Sequence, residues 1–238
     1  MPAVFVHGVP DTYRLWDPIR TRLSRDDVIA VALPGFDSEI PEGFDSTKEA
    51  YANWLTTEVS KIGEPVDLVG HDWGSLLAAR VASLRPDLIR TWAGGAAPID
   101  STYVWHDTAQ LWQTPEVGEQ VMEAFTPETA APGLTASGIP EDAAKDAASH
   151  IDDRMKDSIL CLYRSAVTVG KEWEGDLHSQ TPALLIWGAD DPLVPVEFGE
   201  RLAQKVGGRF VAFTGCGHWW PSQRSEEAAA LLEEHWAQ

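Results

Sequence analysis

Short apolar runs alternate with helical stretches through most of this chain, and that rhythm leaves few folds open to it. The runs cover residues 3–6, 28–33, 66–69, 88–93, 183–187 and 209–213. Each is too short for a buried helix and rich in branched or aromatic residues, as suits a strand covered on both faces. The stretches over 12–23, 46–61, 75–84, 196–206 and 226–236 have helical periodicity. Ser46 and Glu49 stand at capping-box spacing at the start of the second of these. Buried strands alternating with amphipathic helices predict an α/β fold, a mostly parallel sheet of about six strands with helices on both faces.

One segment breaks the rhythm. Residues 98–178 hold no clear apolar strand, carry Pro115, Pro127, Pro132 and Pro140, and show helical patterns near 116–125, 141–149 and 152–169. The strand pattern resumes at Ala183, so the segment reads as a helical cap inserted between strands. The predicted organisation is a core of residues 1–97 and 179–238 with a cap of residues 98–178. A chain of 238 residues, 44% hydrophobic, is long enough for one core with such an insertion.

Charge and cysteine content narrow the partners. Eighteen Lys and Arg against 37 Asp and Glu give a net charge of −19, which repels phosphate backbones and anionic lipid. Nucleic-acid and membrane partners are therefore not expected. Strongly anionic substrates are also disfavoured, unless a local pocket overrides the global charge. Cys161 and Cys216 are too few for a disulfide framework, and no secretion signal or membrane span stands out. A reduced, cytoplasmic protein is the expectation. No Cys/His spacing suits a metal, and neither metal nor organic cofactor is expected. A homo-oligomer is left open. Eleven tryptophans are many for this length; most should be core, and several can line an apolar pocket.

Four pieces carry the chemistry. Gly70-His71-Asp72-Trp73-Gly74 lies between a strand and a helix. Small residues two before and two after Asp72 allow a sharp turn that lifts its side chain above the sheet, at a position usually held by serine. His7-Gly8-Val9-Pro10 follows the first strand. The backbone N–H groups of Val9 and Trp73 can together hold a developing oxyanion. His7 itself reads as structural, and Pro10 suits a cis peptide in a tight turn. Trp187-Gly188-Ala189-Asp190-Asp191-Pro192 follows a later strand, where either Asp190 or Asp191 can orient a histidine. Gly215-Cys216-Gly217-His218-Trp219-Trp220 follows the last strand and sets His218 on a loop beside the pocket, with Trp219 as a pocket wall.

The order nucleophile, acid, histidine, with HGxP from His7 to Pro10, GHDWG and GxxD from Gly188 to Asp191, resembles the α/β-hydrolase superfamily. Within it the likeness is to the epoxide hydrolase and haloalkane dehalogenase branch. It covers the whole chain, strongly in the core and weakly in the cap. The resemblance implies an α/β-hydrolase fold and places the orienting acid on Asp191, with Asp190 next and Asp100 a remote candidate. Members usually carry further strands ahead of the HG turn. Here the turn begins at residue 7, so an N-terminally shortened sheet with an open edge is expected.

An aspartate nucleophile decides the chemistry. A serine attacking a saturated carbon would leave an ether that water cannot cleave. A carboxylate leaves an ester that water can cleave. The expected substrate is thus a small, apolar molecule with an electrophilic alkyl carbon. Leu162-Tyr163-Arg164 resembles the Tyr-Arg cap segment of epoxide hydrolases, which makes Tyr163 the expected acid, with Tyr103 second. Haloalkane dehalogenases hold halide with the Trp after the nucleophile and an Asn at the x position of HGxP or a cap Trp. Trp73 fits, position 9 is Val, and Trp105 or Trp112 can serve. Haloacid enzymes of the fluoroacetate type place Arg after the nucleophile, against Trp73 here. Epoxide hydrolysis is the leading expectation, with haloalkane or haloacid dehalogenation second. A non-catalytic small-ligand binding protein is the remote alternative.

Overall fold

The computed structural model describes residues 1–237. Its strands are β1 (Ala3–Val6), β2 (Val28–Val31), β3 (Val66–Gly70), β4 (Ile89–Gly94), β5 (Ala183–Gly188) and β6 (Arg209–Phe213). They form one sheet in the order β2-β1-β3-β4-β5-β6, every neighbouring pair parallel. The six-stranded parallel α/β architecture expected from the sequence is the one observed. β1, β3 and β5 are buried throughout, whereas β2 and β6 at the two edges are half exposed.

The helices ahead of β4 are α1 (Asp17–Arg20), α2 (Lys48–Lys61) and α3 (Trp73–Leu84). Between β4 and β5 lie α4 (Asp107–Gln113), α5 (Val117–Ala124), α6 (Pro127–Ala136), α7 (Glu141–Ser149), α8 (Asp153–Ser165) and α9 (Val169–Trp173). α10 (Val196–Val206) follows β5, and α11 (Trp220–Gln223) and α12 (Ser225–Trp236) follow β6.

Three local expectations change. The helix expected over 12–23 is a 3-10 turn, Tyr13–Trp16, followed by the single turn of α1 with Pro18 near its start. α2 is capped by Thr47, not Ser46: Thr47 Oγ1 accepts from the Ala50 amide at 3.2 Å, while Ser46 sits at φ 55° just outside. α4 and α6 were not expected; α6 carries Pro132 inside it, the residue that argues against a helix in sequence.

Strand order places the site. The chain lays β2 outside β1 and returns to pair β3 on the other side of β1. Connections leave β1 and β3 in opposite directions, opening a crevice at their carboxyl ends. At the other end of the sheet, the fully buried Asp67 accepts from Arg25 Nη1 at 2.8 Å, from Thr91 Oγ1 at 2.7 Å and from Arg90. These bonds tie β3 to β4 and to the approach to β2. Trp16, Trp92, Trp187 and Trp220 are fully buried, so much of the tryptophan content is core. A buried indole removes roughly 150–250 Å² from water, about 4–6 kcal/mol of transfer energy as an upper bound.

Candidate active site

The turn from β3 into α3 holds Asp72 at φ 51° and ψ −121°, a conformation few non-glycine residues adopt. The flanking glycines are what permit it. A Cβ on Gly70 would stand 2.3 Å from the Gly74 carbonyl oxygen, and one on Gly74 would stand 2.0 Å from that of Val6. The Asp72 amide donates to Gly95 O at 3.0 Å, which fixes the turn against the end of β4.

β1 and β3 are neighbours, so the loop after β1 meets this turn. The Val9 amide donates to Asp72 Oδ1 at 2.8 Å, and the Val9–Pro10 peptide is cis. The Trp73 amide makes no hydrogen bond to Asp72 among the described residues. His7 is buried, and its Nε2 accepts from the Leu33 amide at 3.1 Å, leaving Nδ1 to donate to Gly8 O at 2.8 Å. Burial pushes its pKa down to about 4, so it is a neutral strut between two loops.

The loops after β5 and β6 bring the other groups. Asp191 Oδ1 accepts from the Leu193 and Val194 amides at 2.8 and 2.9 Å, and Oδ2 lies 2.9 Å from His218 Nδ1. His218 Nε2 then faces Asp72 Oδ2 at 3.6 Å. His71 Nε2 lies 2.9 Å from the His218 carbonyl oxygen and ties that loop to the end of β3. Burial opposes a charge on His218, but the Asp191 carboxylate and then Asp72 outweigh it and raise its pKa to about 10. Burial likewise opposes ionisation of Asp72, yet the hydrogen bond and charge of His218 hold its carboxyl below the usual range. Both shifts act in the direction of an ionised Asp72 beside a protonated His218.

Above this group is a cavity of about 310 Å³. Tyr103, Trp105, Trp112, Tyr163 and Trp219 all line it, together with Asp72 and His218. Tyr163 is 2% exposed and packs edge-on against Trp73 and Trp112, with ring centroids at 5.5 and 4.9 Å. Desolvation, then the nearby Asp72 charge, hold its phenol well above its ordinary pKa. Tyr103 Oη donates to Leu193 O at 2.9 Å. The indole N–H groups of Trp73 and Trp112 are buried without an acceptor, whereas that of Trp105 donates to Ala166 O at 3.2 Å.

Two carboxylates kept open by the sequence lie elsewhere. Asp190 is exposed, and Asp100 is held by Arg201 Nε at 2.7 Å and by the Thr102 amide at 2.8 Å. Two groups near the site went unnoticed in the sequence. Asp11, directly after Pro10, is 3% exposed, and its Oδ2 accepts from Trp219 Nε1 at 3.1 Å. Burial and the Asp72 charge raise its pKa to about 7 against the Trp219 bond and the His218 charge. His106 caps α4, with Nδ1 accepting from the Ala109 amide at 3.3 Å, and lines the cavity. A carboxylate following HGVP and a Trp-His pair before a helix were the available signals. Ala130 and Leu134 of the unexpected α6 supply another wall. No group of His, Cys, Asp and Glu suited to a metal occurs among the described residues. No helix among them is long and apolar enough to cross a membrane.

The family model described as alpha/beta hydrolase matches residues 3–231. An epoxide hydrolase of Caballeronia sordidicola is 25% identical over 298 residues, covering 97% of this chain and 86% of that one. An (E)-2-((N-methylformamido)methylene)succinate hydrolase of Acinetobacter baylyi is 24% identical over 214 residues, covering 86% and 78%. The crystal structure of a haloalkane dehalogenase from Bradyrhizobium elkani superposes with a TM-score of 0.77 at 22% identity, covering 99% of this chain and 91% of that one.

Proposed function

The chain belongs to the alpha/beta hydrolase family, and on that premise we propose that it opens epoxides to diols through an alkyl ester on Asp72. The carrying observation is a carboxylate at the turn where serine usually stands, with Oδ1 on the Val9 amide and Oδ2 facing His218. Asp72 attacks a ring carbon, the carbon–oxygen bond breaks, and the released oxygen takes a proton from Tyr163. Burial and the Asp72 charge keep that phenol protonated until it is needed. An alkoxide is a poor leaving group, and a positioned acid typically contributes about 10²–10⁴-fold.

Esterification removes the Asp72 charge. With it goes part of what holds the proton on His218. His218 then passes its proton on, restoring the Tyr163 phenol, and the neutral imidazole, oriented by Asp191, takes one from water. Hydroxide adds to the ester carbonyl, and the oxyanion forms on the oxygen bonded to Val9 N–H, a preorganised donor of the kind that stabilises such charge. The Trp73 amide, next in the chain after Asp72, is the second donor of this reading. Collapse releases the diol and regenerates the Asp72 carboxylate and the His218 imidazolium. Residues 98–178 act as the cap that shapes the apolar cavity.

Dehalogenation by the same ester is the second reading. The same carboxylate and histidine would serve it, and a halide needs only weak donors to leave. One experiment tests the shared chemistry and separates the readings. His218→Gln protein is incubated with a terminal aryl epoxide or with a 1-bromoalkane and weighed intact. A gain equal to the epoxide, mapped to the Asp72 peptide, is the expected result. An alkyl gain from the bromide alone moves the activity to dehalogenation. Unchanged mass with ligand bound refutes an Asp72 ester.

A further inference from the structure

Lys48 stands where a lysine gains nothing from its own helix. It is the first residue of α2, at the positive end of the helix dipole, where a cation is disfavoured. It is also only 7% exposed, and lysine is rarely buried that far without partners. Its main partner, Ser165, lies 117 residues on, at the end of α8. Lys48 Nζ donates to Ser165 O at 2.9 Å, with Glu172 Oε2 at 2.8 Å and Glu49 Oε1 at 3.6 Å as countercharges. The Lys48 backbone amide donates to Ser165 Oγ at 2.8 Å. One residue therefore holds Ser165 by its carbonyl and by its side chain.

The final carbonyls of a helix have no partner within it, and a cation is favoured beside them. At the end of α8 the Lys48 ammonium meets Ser165 O. Leu162 O accepts from Ser165 Oγ at 2.7 Å, and Ala166 O, just past the helix, accepts from Trp105 Nε1 at 3.2 Å. The end of α8 is thus clamped between α2 and Trp105. Tyr163 is two residues before Ser165, and at about 100° per residue it leaves the helix from nearly the opposite side. It lines the cavity there and packs against Trp105, with ring centroids 5.2 Å apart. At the other end of α8, Arg154 pairs with Glu39, and both are largely exposed, a kind of pair that contributes little.

We propose that Lys48 is a positioning residue for Tyr163: by fixing the end of α8 from α2 it sets where the phenol meets the substrate. The dipole cost at the start of α2 is offset at the end of α8, on the helix that carries the acid. Deepening the epoxide reading, the proposal rests on it for the role of Tyr163 but not for the tie itself.

The test is a double-mutant cycle on the first chemical step, read as ester formation with a terminal aryl epoxide in the His218→Gln background. Lys48→Met should slow that step by roughly ten- to hundredfold, less than Tyr163→Phe, because a displaced acid keeps part of its effect. Added to Tyr163→Phe, Lys48→Met should cost no more than about twofold further, since residues acting through one another are not additive. Losses that multiply in the double variant overturn the proposal, because they place Lys48 in the general stability of the fold. Arg154→Gln should leave the rate unchanged, and an equal loss there would also overturn it by spreading the effect over every tie of α8. Ser165→Ala removes only the hydroxyl half of the tie and carries the same cycle if Lys48→Met melts too low to assay. A second readout needs no turnover. The chain has four tyrosines, Tyr13, Tyr51, Tyr103 and Tyr163, so NMR of protein with isotopically labelled tyrosine rings can be assigned by single Phe substitutions. Lys48→Met should shift or broaden the Tyr163 signal and leave that of Tyr13 in place. An unmoved Tyr163 signal overturns the proposal whatever the substrate. A moved signal in a protein that opens no epoxide would break the epoxide reading and leave the tie standing.

Discussion

Asp11→Asn should make the protein more stable at pH 8 than the parent, and by less at pH 5. Asp11 is buried, bonded to Trp219 Nε1, and its pKa is raised from 3.8 to about 7. An acid whose folded pKa exceeds its unfolded one favours the folded state while it is protonated. Below pH 3.8 both states hold the proton and nothing is lost. Between that point and about 7 only the folded state holds it, so stability falls as pH rises. Above about 7 the loss is complete. A shift of this size corresponds to about 4 kcal/mol in full. Relaxation around the ionised group reduces that, and roughly 1–3 kcal/mol should separate pH 5 from pH 8. Asparagine keeps an oxygen for the Trp219 bond and has no such pH dependence. For a chain of this length the difference in melting temperature between variant and parent should grow by roughly 2–10 °C from pH 5 to pH 8. Thermal melts at half-unit pH steps read it directly, because other groups titrate equally in both proteins. Parallel curves across that range would refute the reasoning and place Asp11 in contact with water.

Asp191→Asn should lower kcat by about 10²–10⁴-fold, since the amide favours the wrong imidazole tautomer, while Asp190→Asn at the exposed neighbour should leave steady-state rates intact; the reverse pattern would move the orienting role. Tyr163→Phe should slow epoxide opening by about 10²–10⁴-fold and barely affect halide displacement, as measured by diol and halide release on matched substrates. Asp67→Ala strands Arg25, Arg90 and Thr91 and should cost about 2–4 kcal/mol, less than a deeply buried pair because the arginines are partly exposed; urea titration checks it, and a change under 1 kcal/mol (roughly the value of a surface pair) would show the network to be dispensable.

What could be read from the sequence and what could not divide along a physical line. The turn around Asp72 was readable because its requirements are local: Gly70 and Gly74 are needed within two residues of the side chain they release. The Val9 bond followed from the same kind of information, since a turn at the end of one strand meets a turn at the end of its neighbour once the sheet is parallel. Asp191 was harder, with an aspartate on each side of the same peptide. The structure separates them by the bonds of Oδ1 to the Leu193 and Val194 amides, which turn one carboxylate inward and leave Asp190 outside.

Pocket walls obey no such local rule. α4 and α6 enclose the cavity with sequences that are polar or broken by proline, and their helicity comes from packing against α5, α7 and α8. Asp11 reads as an ordinary turn carboxylate until Trp219, 208 residues away, covers it. A residue's pKa depends on who buries it, and that partner need not be near in sequence. The atoms proposed to react therefore sit where short-range rules act, and the groups that surround them and wall the cavity sit where only the folded packing acts.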